Sequence, residues 1–299
     1  MIGTPDSSIS KADEILPKSP KIFSAEDFSQ LFDLCFQRPW LAYFNPALYY
    51  LWFNADNNFQ KKLLEKLLLD FLYLTDNDVR EVCKKISNQI ETEWKLVPPD
   101  TIIIATCNGK EPDGSQMLIQ KIKNKFDIKW REQNFLSHFS YLEDHLTHNL
   151  NIVLLDDFIG TGKTISGRIE TVNNLIKEKQ CNNVKLFLVS AAAMNFAKST
   201  LDNLYINHYS ANWLDRGISE SFEGSERVQA VAEMKNLEKK LSSKWDALKL
   251  PSFGYGQSES LFSNGDSNVP NNVFPIFWWP YDNDGKERIR LFKRVSQRQ

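Results

Sequence analysis

Hydrophobic and polar positions divide the chain into a helical first part and a later part in which strands and helices alternate. Between residues 22 and 95, apolar side chains recur every three or four positions, as on the buried face of a helix. Ser24 and Thr75 each precede such a pattern and carry an acid three residues later, which is typical of helix N-caps. We therefore predict a helical segment over residues 21–97. Its widest apolar stripe comprises Leu63, Leu64, Leu67, Leu68, Phe71 and Leu72.

Beyond Pro98 and Pro99, which interrupt the helical pattern, short apolar runs alternate with amphipathic stretches. The runs predict strands at 101–105, 152–155, 184–190 and 204–209, and the stretches predict helices at 116–125, 165–179, 193–203 and 225–249. Because strands and helices alternate, we expect parallel strands joined by right-handed crossovers. Residues 251–280 are rich in Gly, Asn, Pro and aromatic side chains, which favours a loop that folds back on the domain.

The most informative segment is 151–164, with the sequence NIVLLDDFIGTGKT. Its apolar run ends in Asp156 and Asp157, and we predict that residues 156–164 form a turn between a strand and a helix. Such a turn lies at the carboxyl end of the sheet, where open α/β folds bind ligands. The N–H groups at the helix start, with the hydroxyls of Thr161 and Thr164, favour a phosphate. Carboxylates and N–H groups together can bind both halves of a sugar phosphate.

Two other interpretations of this segment are open. Gly162, Lys163 and Thr164 also form the ending of a Walker A P-loop, but that motif needs a glycine where this chain has Asp157. A carboxylate at that position would repel a nucleotide triphosphate, so we disfavour the P-loop. An ordinary turn with two exposed acids is the purely structural alternative.

The segment resembles the PRPP-binding signature of type I phosphoribosyltransferases: an apolar strand, two acids, two further residues and Thr-Gly-x-Thr. Asp156, Asp157, Thr161, Gly162 and Thr164 match it position by position. The resemblance implies that the two acids hold the ribose 2′- and 3′-hydroxyls. It also implies that Gly160, Thr161, Gly162, Lys163 and Thr164 surround the 5′-phosphate.

The resemblance implies further site residues, and it has two departures. An early loop should contact pyrophosphate, and Thr106, Asn108 and Gly109 are the candidates. Gly160 stands where a hydroxyl or small residue is usual, and Phe158 is bulkier than is typical. The reaction implied is displacement at the anomeric carbon of PRPP, in which Asp156 and Asp157 stabilise the positive sugar and Mg²⁺ arrives with the substrate.

The fold that the resemblance implies is α/β, with a doubly wound parallel sheet of phosphoribosyltransferase type and an N-terminal helical segment. The α/β domain would span residues 98–285. The carboxyl end also resembles a divergent phosphoribosyltransferase group found beside bacterial conflict genes and retron antiphage systems. A Gly-Tyr pair at 254–255, Pro-Asn-Asn at 270–272 and two tryptophans at 278–279 carry this likeness.

Three functions are compatible with these observations. The first is an active enzyme that uses PRPP or a related ribosyl phosphate, as a defence effector that a protein partner from the same operon keeps silent. The second is a sensor of the same fold that binds a nucleotide without turnover. The third is a module that docks onto a protein or nucleic acid through its helical segment and its basic end.

Composition limits the binding partners and the cellular location that we expect. The chain has 299 residues and a net charge of −2, which gives no general attraction to nucleic acid or anionic membranes. Its four cysteines are widely spaced and are expected to be reduced. Residues 1–20 are predicted to be a disordered tail without a signal peptide, and no apolar run has membrane length, so we expect a soluble cytoplasmic protein. The basic tail 286–299 is either solvated or binds nucleic acid.

Overall fold

The chain forms a parallel central sheet with helices on both faces, and a second packed layer built from its two ends. A computed structural model describes residues 24–109, 113–265 and 267–295. The helices are α1 (Ala25–Gln37), α2 (Asn45–Phe53), α3 (Asn58–Asp70), α4 (Asp76–Asn88), α5 (Gly114–Ile122), α6 (Leu142–His145), α7 (Lys163–Glu178), α8 (Lys198–Asp202) and α9 (Gly224–Glu238). In these ranges no helix is both long enough and apolar enough to cross a membrane.

The strands are mostly short. They are β1 (Leu72–Tyr73), β2 (Thr101–Ala105), β3 (Phe135–Leu136), β4 (Asn151–Ile159), β5 (Lys185–Met194), β6 (Asn207–Ser210), β7 (Trp213–Leu214), β8 (Lys244–Trp245), β9 (Leu248–Lys249) and β10 (Phe262–Ser263). The central sheet has the order β3-β2-β4-β5-β6, with β7 beside the end of β5, and every pair in it is parallel.

Alternate side chains of the sheet face opposite layers of helices. Ile103 and Val153 pack in the layer that holds α4 and α5, whereas Ile104 and Leu154 pack in the layer that holds α7. This is the period-two alternation of a strand that is covered on both faces. The expected doubly wound parallel sheet is therefore confirmed.

Capping residues set several helix boundaries. Ser24 caps α1 through the N–H of Asp27, and Thr75 forms a reciprocal capping box with Asp78 at α4. Strand β2 has the expected bounds. Helix α5 begins two residues earlier than expected, because the Asp113 side chain accepts hydrogen bonds from the N–H groups of Ser115 and Gln116 and thereby caps it.

The helical segment shares one hydrophobic core with the carboxyl end of the chain. Leu64 and Leu67 of α3 belong to the same buried cluster as Phe274, Trp278 and Trp279. Strand β1 also pairs with β10 in parallel. A boundary near residue 97 therefore does not separate two independent cores.

Several elements differ from the sequence prediction: β5 continues to Met194, the helix expected at 193–203 is reduced to α8, and β6 begins at Asn207. Strand β4 continues through both acids to Ile159, because its pairing with β5 extends as far as Ala193, so the turn contains only residues 160–162. Helix α9 ends at Glu238 rather than near 249. The chain leaves the helix because the N–H of Ser242 donates to the carbonyl of Tyr281, and residues 244–249 then form the β8–β9 hairpin.

The expected basic tail is partly folded into the core. Arg288 is buried and donates to the carbonyls of Trp279 at 3.0 Å and Ile276 at 3.2 Å, and burial lowers its pKa. Arg294 donates to the carbonyl of Val269, and burial likewise lowers its pKa. A solvated terminus is thus the wrong description for these two residues, since backbone carbonyls have replaced water as their partners. Residues 296–299 of that tail, and the predicted tail 1–20, lie outside the described residues.

Arg288 provides a test of this packing. Replacing it with Ala leaves two buried carbonyls without their donor, and each such loss costs about 1–3 kcal/mol. We expect Arg288→Ala to lower the free energy of unfolding by about 2 kcal/mol or more in urea titrations. Lys293 is exposed, so Lys293→Ala should change it by less than about 0.5 kcal/mol. Equal effects of the two substitutions would contradict a structural role for Arg288.

Candidate functional site

The two acids lie at the carboxyl end of β4, beside the end of β2. The chain passes from β2 to β3 on one side and then returns to β4 on the other, so this edge is a topological switch point, where α/β sheets bind ligands. Thr106 follows β2, and its N–H donates to the carbonyl of Leu155 at 3.1 Å. Its hydroxyl donates a hydrogen bond to the Asp156 side chain. The structure thus brings Thr106 and Asp156 together.

Asp157 lies against the first residue of α5. A β-carbon on Gly114 would lie 1.8 Å from Oδ2 of Asp157, so only glycine fits at that position. The preceding residue, Asp113, adds a third carboxylate, whose charge acts on both Asp156 and Asp157. The sequence analysis did not assign Asp113, although its place as an N-cap before a helical pattern was a usable signal.

Crowding changes the protonation of the pair. Burial raises the pKa of Asp156 to about 6, and the charge of Asp113 contributes. Burial raises the pKa of Asp157 well above its ordinary value, with the charges of Asp156 and Asp113 adding to the effect. The two side chains hydrogen-bond each other, and this contact raises the pKa of Asp157 further while it lowers that of Asp156, so Asp157 is the member of the pair that more readily keeps a proton. A carboxylate beside a carboxylic acid can both accept hydrogen bonds from hydroxyls and donate to them.

The turn after β4 leads into the first turn of α7, whose leading N–H groups have no carbonyl partner within the helix. Gly162 has φ 78°, a left-handed conformation that suits glycine, and it is the N-cap of α7. The N–H of Lys163 contacts Oγ1 of Thr161 at 3.4 Å, and the first turn of α7 follows. Asp156 and the predicted phosphate residues Gly160, Thr161, Gly162, Lys163 and Thr164 line one cavity of about 80 Å³.

A distant segment covers this turn. A β-carbon on Gly160 would lie 2.3 Å from Nδ2 of Asn272, so the glycine allows the Asn272 amide to rest on the loop backbone. The amide donates to the carbonyl of Tyr255 at 3.1 Å and to Oγ of Ser258 at 2.9 Å. Asn272 and Tyr255 also line the cavity. The departure at Gly160 is therefore matched by a side chain that occupies the vacated space.

The sequence analysis missed Asn272 and Tyr255 as site residues. Both belong to the predicted loop 251–280, about a hundred residues after the acids. The second departure, Phe158, also has a structural explanation, because its ring stacks on Phe262 with centroids 4.9 Å apart.

The other early-loop candidates are less closely connected to the acids. Asn108 and Gly109 are exposed, and the carbonyl of Gly109 lies 3.1 Å from Nε2 of His138. The residues that follow, 110–112, lie outside the described residues. Thr106 differs from both, because its carbonyl also accepts a hydrogen bond from Nε of Arg168 on α7 at 3.0 Å.

Asp157 should reduce stability at neutral pH. Because its pKa is raised in the folded state, folded protein binds protons that unfolded protein releases, and stability falls as pH rises from about 4. We expect Asp157→Asn to raise the thermal midpoint at pH 8, and the gain to shrink towards pH 4. Asp33→Asn, at an exposed position, should leave the midpoint unchanged at both values. A midpoint that Asp157→Asn lowers at pH 8 would contradict the electrostatic account.

Comparison with known proteins identifies a family and two structures with a partly similar fold. The sequence matches the PRTase-CE family over residues 40–294. No curated protein matches it significantly. A hypothetical protein from Neisseria gonorrhoeae, solved with bound ppGpp, has 11% identity, a TM-score of 0.33, and an alignment over 48% of this chain and 85% of its own. A hypoxanthine phosphoribosyltransferase from Staphylococcus aureus has 15% identity, a TM-score of 0.29, and an alignment over 48% and 79%.

The family match extends over most of the described chain. It begins in the segment before α2 and includes both acids, the turn and the segment that covers it. The resemblance to phosphoribosyltransferases is therefore confirmed. The chain belongs to the PRTase-CE family.

Proposed function

We propose that this protein binds PRPP, or a related ribose 5-phosphate nucleotide, in the crevice at the end of β4. The observation that carries the proposal is that Asp156 and the loop 160–164 line one cavity. In this proposal the carboxylates bind the ribose hydroxyls, and the N–H groups at the start of α7 bind the 5′-phosphate. Thr106 is buried beside Asp156, so in this proposal it positions the Asp156 carboxylate from behind.

The site also suits transfer of the ribosyl group. Displacement at the anomeric carbon develops positive charge on the sugar, and the negative charge that Asp156 and Asp157 share would stabilise it at short range. A hydrogen bond from Thr106 holds the Asp156 carboxylate in place. The acceptor could be a base, a nucleotide, water or a macromolecule.

Magnesium fits this site as part of a complex with the ligand. Among the described residues, no three His, Cys, Asp or Glu side chains are arranged to hold a metal ion by themselves. Mg²⁺ prefers oxygen ligands and commonly takes several from substrate phosphates and water. Asp156 and Asp157 would be the nearest protein oxygens, and the ion would neutralise the charge of the pyrophosphate.

The biological role that we propose is an enzymatic effector of a bacterial antiphage system of retron type. Support comes from the likeness of the 254–279 segment to the group beside conflict genes, and from the contact of that segment with the loop. In this proposal a protein partner keeps the enzyme silent. The alternative is a catalytically silent subunit that senses nucleotides or docks onto a partner or nucleic acid.

Calorimetry with PRPP and Mg²⁺ tests the binding proposal. We expect saturable binding by the wild type, and at least a tenfold loss in Asp156→Asn/Asp157→Asn, because amides cannot provide the negative charge. Asp144→Asn, at an exposed position of α6, should bind as the wild type does. Circular dichroism establishes that each variant is folded. Equal affinity of the double variant and the wild type would refute the proposed site.

The same double variant separates chemistry from docking. If the protein acts as an enzyme, expression that slows the growth of host cells should become harmless when both acids are changed. If it acts by docking, the growth defect should persist in the folded variant. The readout is the growth rate at matched protein levels.

A further inference from the structure

A larger cleft adjoins the phosphate loop on the side of α7. It has a volume of about 610 Å³, and it is lined by Thr161, Lys163, Ser166, Thr200, Tyr255 and Gly256. It shares Thr161, Lys163 and Tyr255 with the 80 Å³ cavity beside Asp156. One ligand can therefore contact both spaces across the loop.

The outer wall of this cleft has an unusual backbone. Phe253, Gln257 and Glu259 have φ values of 59°, 51° and 49°, in the left-handed region that side chains other than glycine seldom occupy. Three such residues within seven positions cost free energy. Strain of this kind persists only where the surroundings hold it, and it concentrates at functional sites.

Two buried carboxylates hold the wall in this shape. Glu238 accepts hydrogen bonds from the N–H of Phe253 at 3.0 Å and from Oγ of Ser252 at 2.5 Å. Glu259 accepts from the N–H groups of Ile218 at 2.8 Å and Ser219 at 2.7 Å. Both side chains are nearly inaccessible, at 3% and 4% exposure. Hydrogen bonds of Glu238 and Glu259 therefore hold the wall in place before and after Tyr255.

The anchored wall also touches the loop. A β-carbon on Gly256 would lie 2.7 Å from Cγ2 of Thr161, so the wall and the loop are in direct contact at a position without a side chain. Tyr255, next to it, is 46% exposed and stands at the cleft. The wall thus sets the position of the Tyr255 ring relative to the loop.

The two volumes differ in what they can hold. The 80 Å³ of the small cavity lies below the range that is typical of small-molecule sites, so it is too small for a whole nucleotide. The cleft lies within the range of about 300–1,000 Å³ that is typical of small-molecule sites. Lys163 can neutralise a second phosphate there, Thr200 offers a hydroxyl, and Tyr255 offers a ring on which a base can stack.

We propose that the cleft is a subsite for a group attached to the ligand's 5′-phosphate, so that the preferred ligand is a ribosyl 5′-diphosphate compound bearing a nucleoside. This rests on the proposed binding of a ribose 5-phosphate at Asp156 and the loop. The ribose and its phosphate occupy the cavity side, and the second phosphate and the base extend past Lys163 towards Tyr255.

Calorimetry with ribose 5-phosphate and ADP-ribose, each with Mg²⁺, tests the proposal. The two probes share the ribose 5-phosphate part, and ADP-ribose adds a phosphate and an adenosine. We expect the wild type to bind ADP-ribose at least tenfold more tightly. Tyr255→Ala should reduce the affinity for ADP-ribose about tenfold, in line with the loss of one base–aromatic stack.

Ser166 supplies a matched pair of variants, since it lines the cleft but not the small cavity. Ser166→Phe should fill the cleft and reduce ADP-ribose affinity to that of ribose 5-phosphate, while Ser166→Ala should keep the preference within about threefold. Equal affinities of the wild type for the two probes, or a preference that survives Ser166→Phe, would overturn the subsite. If neither probe nor PRPP binds, it is the proposed function that fails.

Discussion

The whole site depends on two positions where the absence of a side chain lets another segment approach the backbone closely. Gly114 lets the start of α5 meet the Asp157 carboxylate, and Gly160 lets the Asn272 amide rest on the loop. Without these close approaches, Asp113 and the segment that carries Asn272 would lie farther from the end of β4. The sheet supplies the position, but the glycines determine which distant segments can reach it.

The site then combines two opposite electrostatic environments within a few residues. On one side, burial and the mutual repulsion of Asp113, Asp156 and Asp157 raise the pKa of Asp156 and of Asp157 and so disfavour full ionisation of the pair. On the other side, the turn of 160–162 and the start of α7 present N–H groups and the Lys163 cation. A ligand that carries hydroxyls at one end and a phosphate at the other matches both environments at once. Such a ligand would be oriented by charge before any specific contact to a base is made.

The local features of the fold could be predicted from the sequence, and the long-range contacts could not. Strand β2 and the Thr75 cap follow from periodicity and from neighbours three residues apart, and the acids and turn follow from one contiguous motif. Asn272 could not be assigned, because its role depends on a missing side chain at Gly160. In the sequence, Arg288 belongs to a basic stretch that is expected to be solvated. Its burial depends on the distant carbonyls of Ile276 and Trp279, which accept its hydrogen bonds.

The shared core of the two chain ends has a consequence for synthesis on the ribosome. Leu31 of α1 and Phe292 lie in one buried cluster, together with the aromatic residues that follow Asn272. Domains fold as their residues emerge from the ribosome. When the acids and the loop have emerged, the segment that covers them has not yet been made. The complete site therefore appears only after residues 272–292 have left the ribosome. A truncated product would carry the acidic motif without its cover.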